Sequence, residues 1–215
     1  MAEHRSGFAC FVGRPNAGKS TLTNAIVGEK IAITSSKPQT TRHTIRGILT
    51  RPDAQLVLVD TPGLHRPRTL LGERLNDLVH QTWADVDVIG VCLPASQRIG
   101  PGDEFLVREI AAMPRRPKLV ALATKTDLVS RQRLAEHLVK IQSMEEHLGI
   151  RWDSIIPVSA LTDDQVDVVV DEIVRLLPEG PPLYPAGEVT DEPTETRIAE
   201  LIREAALEGV EDELP

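Results

Sequence analysis

"FACFVGRPNAGKSTLTNAIVG", residues 8–28, reads as strand, turn and helix in succession. The run 8–13 is apolar throughout, as a strand buried on both faces must be. Lys19–Val27 has helical spacing, and Gly28 supplies the stop. Between them, Gly13 to Ser20 matches G-x-x-x-x-G-K-[ST] in the strand–loop–helix setting that its mechanism requires. Gly13 and Gly18 let the backbone curl so that its N–H groups face phosphate oxygens, and the helix N-terminus adds positive partial charge. Lys19 reaches the β- and γ-phosphates and serves catalysis, and Ser20 offers its hydroxyl to Mg²⁺. The run Asn16, Ala17, Gly18, Lys19, Ser20 and Thr21 as a whole is expected to contact a nucleotide.

Outward from this unit, strand-like and helix-like segments alternate. Apolar runs at 54–60, 88–93, 118–124 and 154–159 read as strands, and helical stretches lie near 70–83, 103–112, 131–148 and 164–177. "IRGILT", 45–50, is separated from 54–60 by a short turn and reads as an antiparallel edge strand. The expectation is an α/β, P-loop NTPase fold with a mostly parallel six-stranded sheet, helices on both faces and a C-terminal helical extension. Ligands of such sheets sit at the carboxyl ends of the strands.

The remaining motifs fall at those ends. "DTPG", Asp60–Gly63, closes an apolar strand 41 residues after Lys19. Asp60 is positioned to hold Mg²⁺ through a water, and the Gly63 N–H to touch the γ-phosphate during catalysis. In "PQTTRHT", 38–44, a threonine hydroxyl completes the metal shell, with Thr41 favoured over Thr40. "TKTD", 124–127, resembles a guanine-reading loop in which Asn is replaced by Thr124. Guanine presents N1–H and N2–H₂ as parallel donors that Asp127 accepts together, whereas adenine would face that carboxylate with a lone pair. A site built to bond such a group rejects analogues lacking it by roughly 10⁴-fold. The stem of Lys125 covers the base. In "VSAL", 158–161, Ser159 and Ala160 border the base, with the Ala160 N–H aimed at guanine O6. Thr124 is shorter than Asn and has a single hydroxyl donor, so weakened affinity with retained specificity is expected.

Bulk properties exclude several alternatives. Aromatic residues are 3% of the chain, too few for a base-stacking platform. No apolar run reaches the length of a membrane span, and the N-terminus lacks a signal-peptide core. Cys10 and Cys92 lie in apolar runs and read as buried thiols of a reducing, cytoplasmic protein. The six histidines show no metal-ligand spacing. The net charge of −8 is uneven: residues 178–215 contain 11 Asp/Glu and 2 Arg, so the rest of the chain is almost neutral. That acidic segment would repel phosphate.

"LPEGPPLYPAGEVTDEP", 177–193, has five Pro and two Gly and reads as a linker. Beyond it Ile198, Leu201, Ile202 and Ala205 share one face of a helix that opens near Pro193, and that stripe needs a covering partner.

"GRPNAGKSTLTNAIVGEKIAITSSKPQTTRHTIRGI", "VLVDTPGLHRP" and "LPEGPPLYP" together resemble the Era family of bacterial GTPases, from about residue 7 onward. The resemblance implies binding and Mg²⁺-dependent hydrolysis of GTP to GDP, contact with 16S rRNA near its 3′ end, a role in 30S subunit assembly, occasional peripheral membrane association and a monomer. It divides the chain into a GTPase domain (1–178), a linker (179–192) and the first helix of a truncated KH domain (193–215). No two glycines stand three apart, so the GXXG clamp of a KH domain is absent. The chain reads as either a fragment or a natural protein without the clamp, and the uncovered apolar stripe at 198–205 favours a fragment. Leu64 stands where many GTPases place a water-orienting Gln. Related GTPases with an apolar residue there use K⁺ held by the residue matching Asn16, while Arg42 and Arg46 are assigned no catalytic part. The competing expectations are a nucleotide-gated binding module with negligible turnover and a P-loop ATPase.

Overall fold

The strand signals converge on one sheet. The computed structural model describes residues 3–34, 44–60, 79, 81–115 and 117–208. Six strands, β1 (Arg5–Val12), β2 (Ile45–Thr50), β3 (Ala54–Asp60), β4 (Val88–Cys92), β5 (Lys118–Thr124) and β6 (Ser154–Val158), pair in the order β2-β3-β1-β4-β5-β6. All pairings are parallel except β2 with β3, the antiparallel edge that the short turn predicts. β1 begins at Arg5, three residues before its apolar run, because Arg5, Ser6 and Gly7 still pair with Ala54, Gln55 and Leu56.

Alternation along the strands splits the core into two layers. Phe11, Leu58 and Leu122 pack with Leu22 and Ile26 of α1 (Lys19–Val27) and with Val169 and Ile173 of α4 (Val166–Leu176). On the other face Val12, Ile89 and Ala121 meet Trp83 of a helical turn at 81–85, Leu106 and Ile110 of α2 (Pro101–Ala111), and Ile141 of α3 (Arg131–Leu148). The same alternation puts Cys10 and Cys92 on opposite faces, both fully buried free thiols. Burial pushes Cys92 up to about 12 and Cys10 further, so both stay protonated and unreactive.

Strand order reverses at β1, which lies between β3 and β4 and leads into the glycine-rich loop. Ligands of open α/β sheets bind at such switch points. α1 then ends as predicted at Gly28, whose φ of 79° only glycine adopts without strain and whose N–H donates to the Asn24 carbonyl.

The proline-rich stretch after Leu177 is strapped to the sheet. The Ser6 N–H donates to the Pro178 carbonyl (3.1 Å), and the Gly180 N–H to the His4 carbonyl (3.0 Å). Buried Gln55 accepts at one amide oxygen from the N–H groups of Leu183 (2.6 Å) and Tyr184 (2.8 Å). Asp191 accepts from Arg46 at 2.8 Å. α5 (Thr194–Glu208) follows, with the Pro193 carbonyl accepting from the Arg197 N–H. Among the described residues no helix is long and apolar enough to cross a membrane.

Candidate nucleotide-binding site

The phosphate loop is held open by its backbone. A Cβ on Gly13 would stand 2.8 Å from the Cys92 carbonyl oxygen, so the loop leaves β1 where only glycine fits. Asn16 and Gly18 both take left-handed conformations, at φ 60° and 94°. Asn tolerates that region better than most residues. The Lys19 ammonium is buried and folded back, donating to the carbonyls of Gly13 (3.2 Å) and Arg14 (3.3 Å). Burial lowers its pKa, and the nearby Asp60 carboxylate opposes that shift.

Ser20 Oγ donates to Asp60 Oδ2 at 2.8 Å. Two residues 40 positions apart in sequence, expected to serve one metal, therefore meet at the carboxyl ends of β1 and β3. A hydroxyl and a carboxylate are hard oxygen donors of the kind Mg²⁺ takes, and two protein oxygens leave room for phosphate and water ligands. The donor set fits the ion. Thr41, its alternative Thr40, Gly63 and Leu64 lie outside the described residues.

Beside the loop is a cleft of about 270 Å³ bordered by Gly18, Thr21, Thr124, Lys125, Asp127 and Ala160. Lys125 sits at φ 59°, which turns the chain sharply from β5 toward Asp127. Asp127 Oδ1 accepts from Ser159 Oγ at 2.6 Å, and Ser159 Oγ accepts in turn from the Thr162 N–H at 3.3 Å. Ser159 thus orients the carboxylate. Leu128 and Leu161, exposed in the described structure, add apolar surface to the cleft that the motif reading did not include.

The Thr124 side chain is buried, and its hydroxyl donates to the Ala17 carbonyl at 2.7 Å. Thr124 therefore has a structural task of its own. It braces the phosphate loop across 107 residues of sequence. It lacks the amide that would reach the base edge.

Sequence reasoning missed a second brace. Arg14 Nε donates to Asp103 Oδ1 at 2.8 Å, and its other end reaches the Arg98 carbonyl at 3.2 Å. Asp103 is buried at the start of α2, where its second oxygen accepts from the Gly100 N–H. An acidic residue three after a helix cap is a capping signal that the sequence does carry. Nothing in the sequence links it to Arg14.

α5 docks in an unexpected way. Ile198, Leu201 and Ile202 of its apolar stripe remain exposed. The contact with the domain is polar: buried Glu204 accepts from the Thr34 N–H at 2.9 Å and pairs with Lys30 at 2.5 Å, while Arg197 approaches Glu29 at 3.6 Å.

Known proteins share this arrangement. A family model described as "50S ribosome-binding GTPase" matches residues 8–125. GTPase Era of Streptomyces coelicolor is 66% identical over 212 residues, which cover 99% of this chain and 67% of that protein. GTPase Era of Mycobacterium avium is 61% identical over 215 residues, covering 100% and 71%. Among solved structures, Era in complex with MgGDPNP and nucleotides 1506–1542 of 16S ribosomal RNA superposes with a TM-score of 0.91 at 31% identity, covering 99% of this chain and 70% of that one. A bacterial selenocysteine-specific elongation factor shares the fold at a TM-score of 0.64 and 17% identity. With the glycine-rich loop, the Ser20–Asp60 pair and the oriented Asp127 in place, and with identity extending over nearly its whole length, the chain belongs to the Era GTPase family.

Proposed function

We propose that this chain binds GTP and GDP with Mg²⁺ and hydrolyses GTP slowly, as a switch in 30S ribosomal subunit assembly that acts on 16S rRNA. The single observation that carries the reading is the Asp127 carboxylate, fixed by Ser159 at 2.6 Å beside a loop braced by Thr124. That arrangement accepts the paired donors of guanine and leaves adenine unbonded.

Lys19 holds the β- and γ-phosphates and carries positive charge to the oxygens where negative charge develops. Ser20, Asp60 and Thr41 hold Mg²⁺, which neutralises charge on the phosphates when bound. The Gly63 N–H contacts the γ-phosphate. Leu64 has no hydrogen-bonding atom, so no side chain at that place orients the attacking water. Arg46 is ion-paired with Asp191, which argues against its acting as an arginine finger. The family resemblance assigns K⁺ to Asn16 in that electrostatic role. The loops 29–46 and 62–72 order around the γ-phosphate and relax after its loss, and partner affinity follows that ordering. Residues 1–178 form the GTPase domain and 193–215 the first helix of the RNA-binding domain. The protein acts in the cytoplasm as a monomer, with peripheral membrane association as a secondary location.

The test is displacement of a fluorescent GDP analogue by GTP, GDP, ATP and XTP in K⁺ buffer with Mg²⁺. Displacement by GTP and GDP but not ATP is expected, and equal displacement by ATP would overturn the guanine reading. Hydrolysis faster in KCl than in NaCl, with the difference lost in Asn16→Ala, tests the ion assignment.

A further inference from the structure

A second cavity, of about 610 Å³, opens between the loop 94–100 that follows β4 and the first turns of α3. It is distinct from the guanine cleft, and the two have no lining residue in common. Its charged lining consists of Arg98, Arg133 and Lys140 against Glu136 alone. His137, buried and bonded to the Leu93 carbonyl at 3.0 Å, has its pKa lowered by burial and adds no charge near neutrality. Cations outnumber acids three to one here, in a part of the chain (1–177) that is almost neutral overall. Several exposed arginines elsewhere are paired, Arg108 with Glu104, Arg115 with Asp87 and Arg175 with Glu172, whereas exposed Arg131 and Arg151 form no ion pair among the described residues. Among the described residues the side chains of Arg98 and Lys140 make no hydrogen bond or ion pair, and Arg133 meets only a carbonyl, that of Ser96 at 2.9 Å.

The frame of the cavity is rigid. Arg133 and His137 tie α3 to the loop, the Ala95 N–H donates to the Thr124 carbonyl, and Arg14 grips the Arg98 carbonyl from the far side. The cations are therefore presented on a fixed surface, which lowers the entropy lost on binding.

We propose that this cavity is an RNA backbone site that takes successive phosphodiesters of a structured RNA. Three features select that ligand. Arg133 and Lys140 stand two turns apart on one face of α3, about 10 Å along the axis, which a single phosphate does not span. The lining has no Phe, Tyr or Trp and its one imidazole, His137, is buried, so neither base stacking nor the aromatic core of a protein interface is available. Arginine and lysine contacts to phosphate position a nucleic acid without reading its sequence. Naming RNA among polyphosphates rests on the ribosomal role proposed above.

The experiment measures anisotropy of two labelled RNAs, nucleotides 1506–1542 of 16S rRNA and a hairpin of unrelated sequence, with the full chain over a salt series. The variant Arg98→Glu/Lys140→Glu removes two cations whose side chains bond nothing within the described protein. The control Arg115→Glu/Arg175→Glu makes the same charge change near the amino ends of β4 and β6, away from the cavity. The expected result is binding of both RNAs by the unaltered chain, and affinity at least about tenfold lower in Arg98→Glu/Lys140→Glu. The slope of log affinity against log salt should fall by about two, with the control and GDP binding unchanged. Equal RNA binding by the unaltered chain and Arg98→Glu/Lys140→Glu overturns the site and leaves the rRNA reading standing. Equal loss in the control shows diffuse charge and overturns it too. Failure of the unaltered chain to bind either RNA overturns both the site and the rRNA reading, while GDP displacement reports separately on the guanine reading.

Discussion

The guanine cleft and the docked helix α5 solve opposite problems. In and around the cleft, polar side chains are already engaged: Thr124 on the Ala17 carbonyl, Ser159 on Asp127, and, beside the phosphate loop, Arg14 on Asp103. The result is a rigid receptor whose geometry precedes its ligand. At α5 the contacts seen among the described residues include Glu204 with Lys30 and Thr34, and Arg197 near Glu29, while Ile198, Leu201 and Ile202 are exposed. Burying a few charged groups costs desolvation that their pairing roughly offsets, so such contacts hold a geometry without much net stability. The comparison separates a site made to persist from a joint made to be released.

Four measurements bear on that contrast, from the largest effect to the smallest. Asp127→Asn should weaken GDP binding about 10³-fold and let XDP compete, because the amide donates where the carboxylate accepts. Unchanged GDP affinity would mean that the cleft does not read the base. Arg14→Ala leaves buried Asp103 without its cation and should cost about 2–3 kcal/mol in urea unfolding, a value discounted for the partial exposure of Arg14. A loss below 0.5 kcal/mol would make the brace incidental. Thr124→Val keeps the shape and deletes the hydroxyl, leaving the Ala17 carbonyl unbonded. About 1–3 kcal/mol, read as roughly tenfold weaker GDP binding, is expected, while Thr124→Asn should bind about tenfold tighter by restoring the amide. Glu204→Gln should cost about 1 kcal/mol, seen as faster amide exchange at Thr34.

Glu204 also carries a pH dependence. Burial alone would raise its pKa, but hydrogen bonds from Lys30 and Thr34 outweigh burial and hold it below the usual 4.5. Its contribution to docking is fully present above about pH 4.5 and disappears as pH falls through the depressed folded value. Protection at Thr34 that persists unchanged to pH 3 would contradict this.

The two regions were not equally legible. The glycine-rich loop, "DTPG" and "TKTD" announce themselves because their chemistry depends on local backbone geometry and short spacing. The mostly parallel sheet followed from alternation and its antiparallel edge from one short turn between 50 and 54, but the order of the strands did not. The braces were hidden because each joins residues far apart in sequence: Arg14 and Asp103 across 89 positions, Thr34 and Glu204 across 170. Periodicity placed the apolar stripe of α5 correctly as a face, but periodicity reports what one helix offers and not which side it turns to its neighbour. Composition alone made 177–193 look like a linker, since prolines that loosen a free chain also suit a segment whose bonds go to Gln55 and Ser6.

That strap sets a load path. A pull on α5 is met first by Glu204 on Lys30 and Thr34, then by Asp191–Arg46, then by Gln55 and the bonds of Ser6 and His4, one after another. Gln55 lies near the head of β3 and Asp60 closes the same strand, so the tug of a bound partner arrives at one end of a stiff rod whose other end carries a metal ligand.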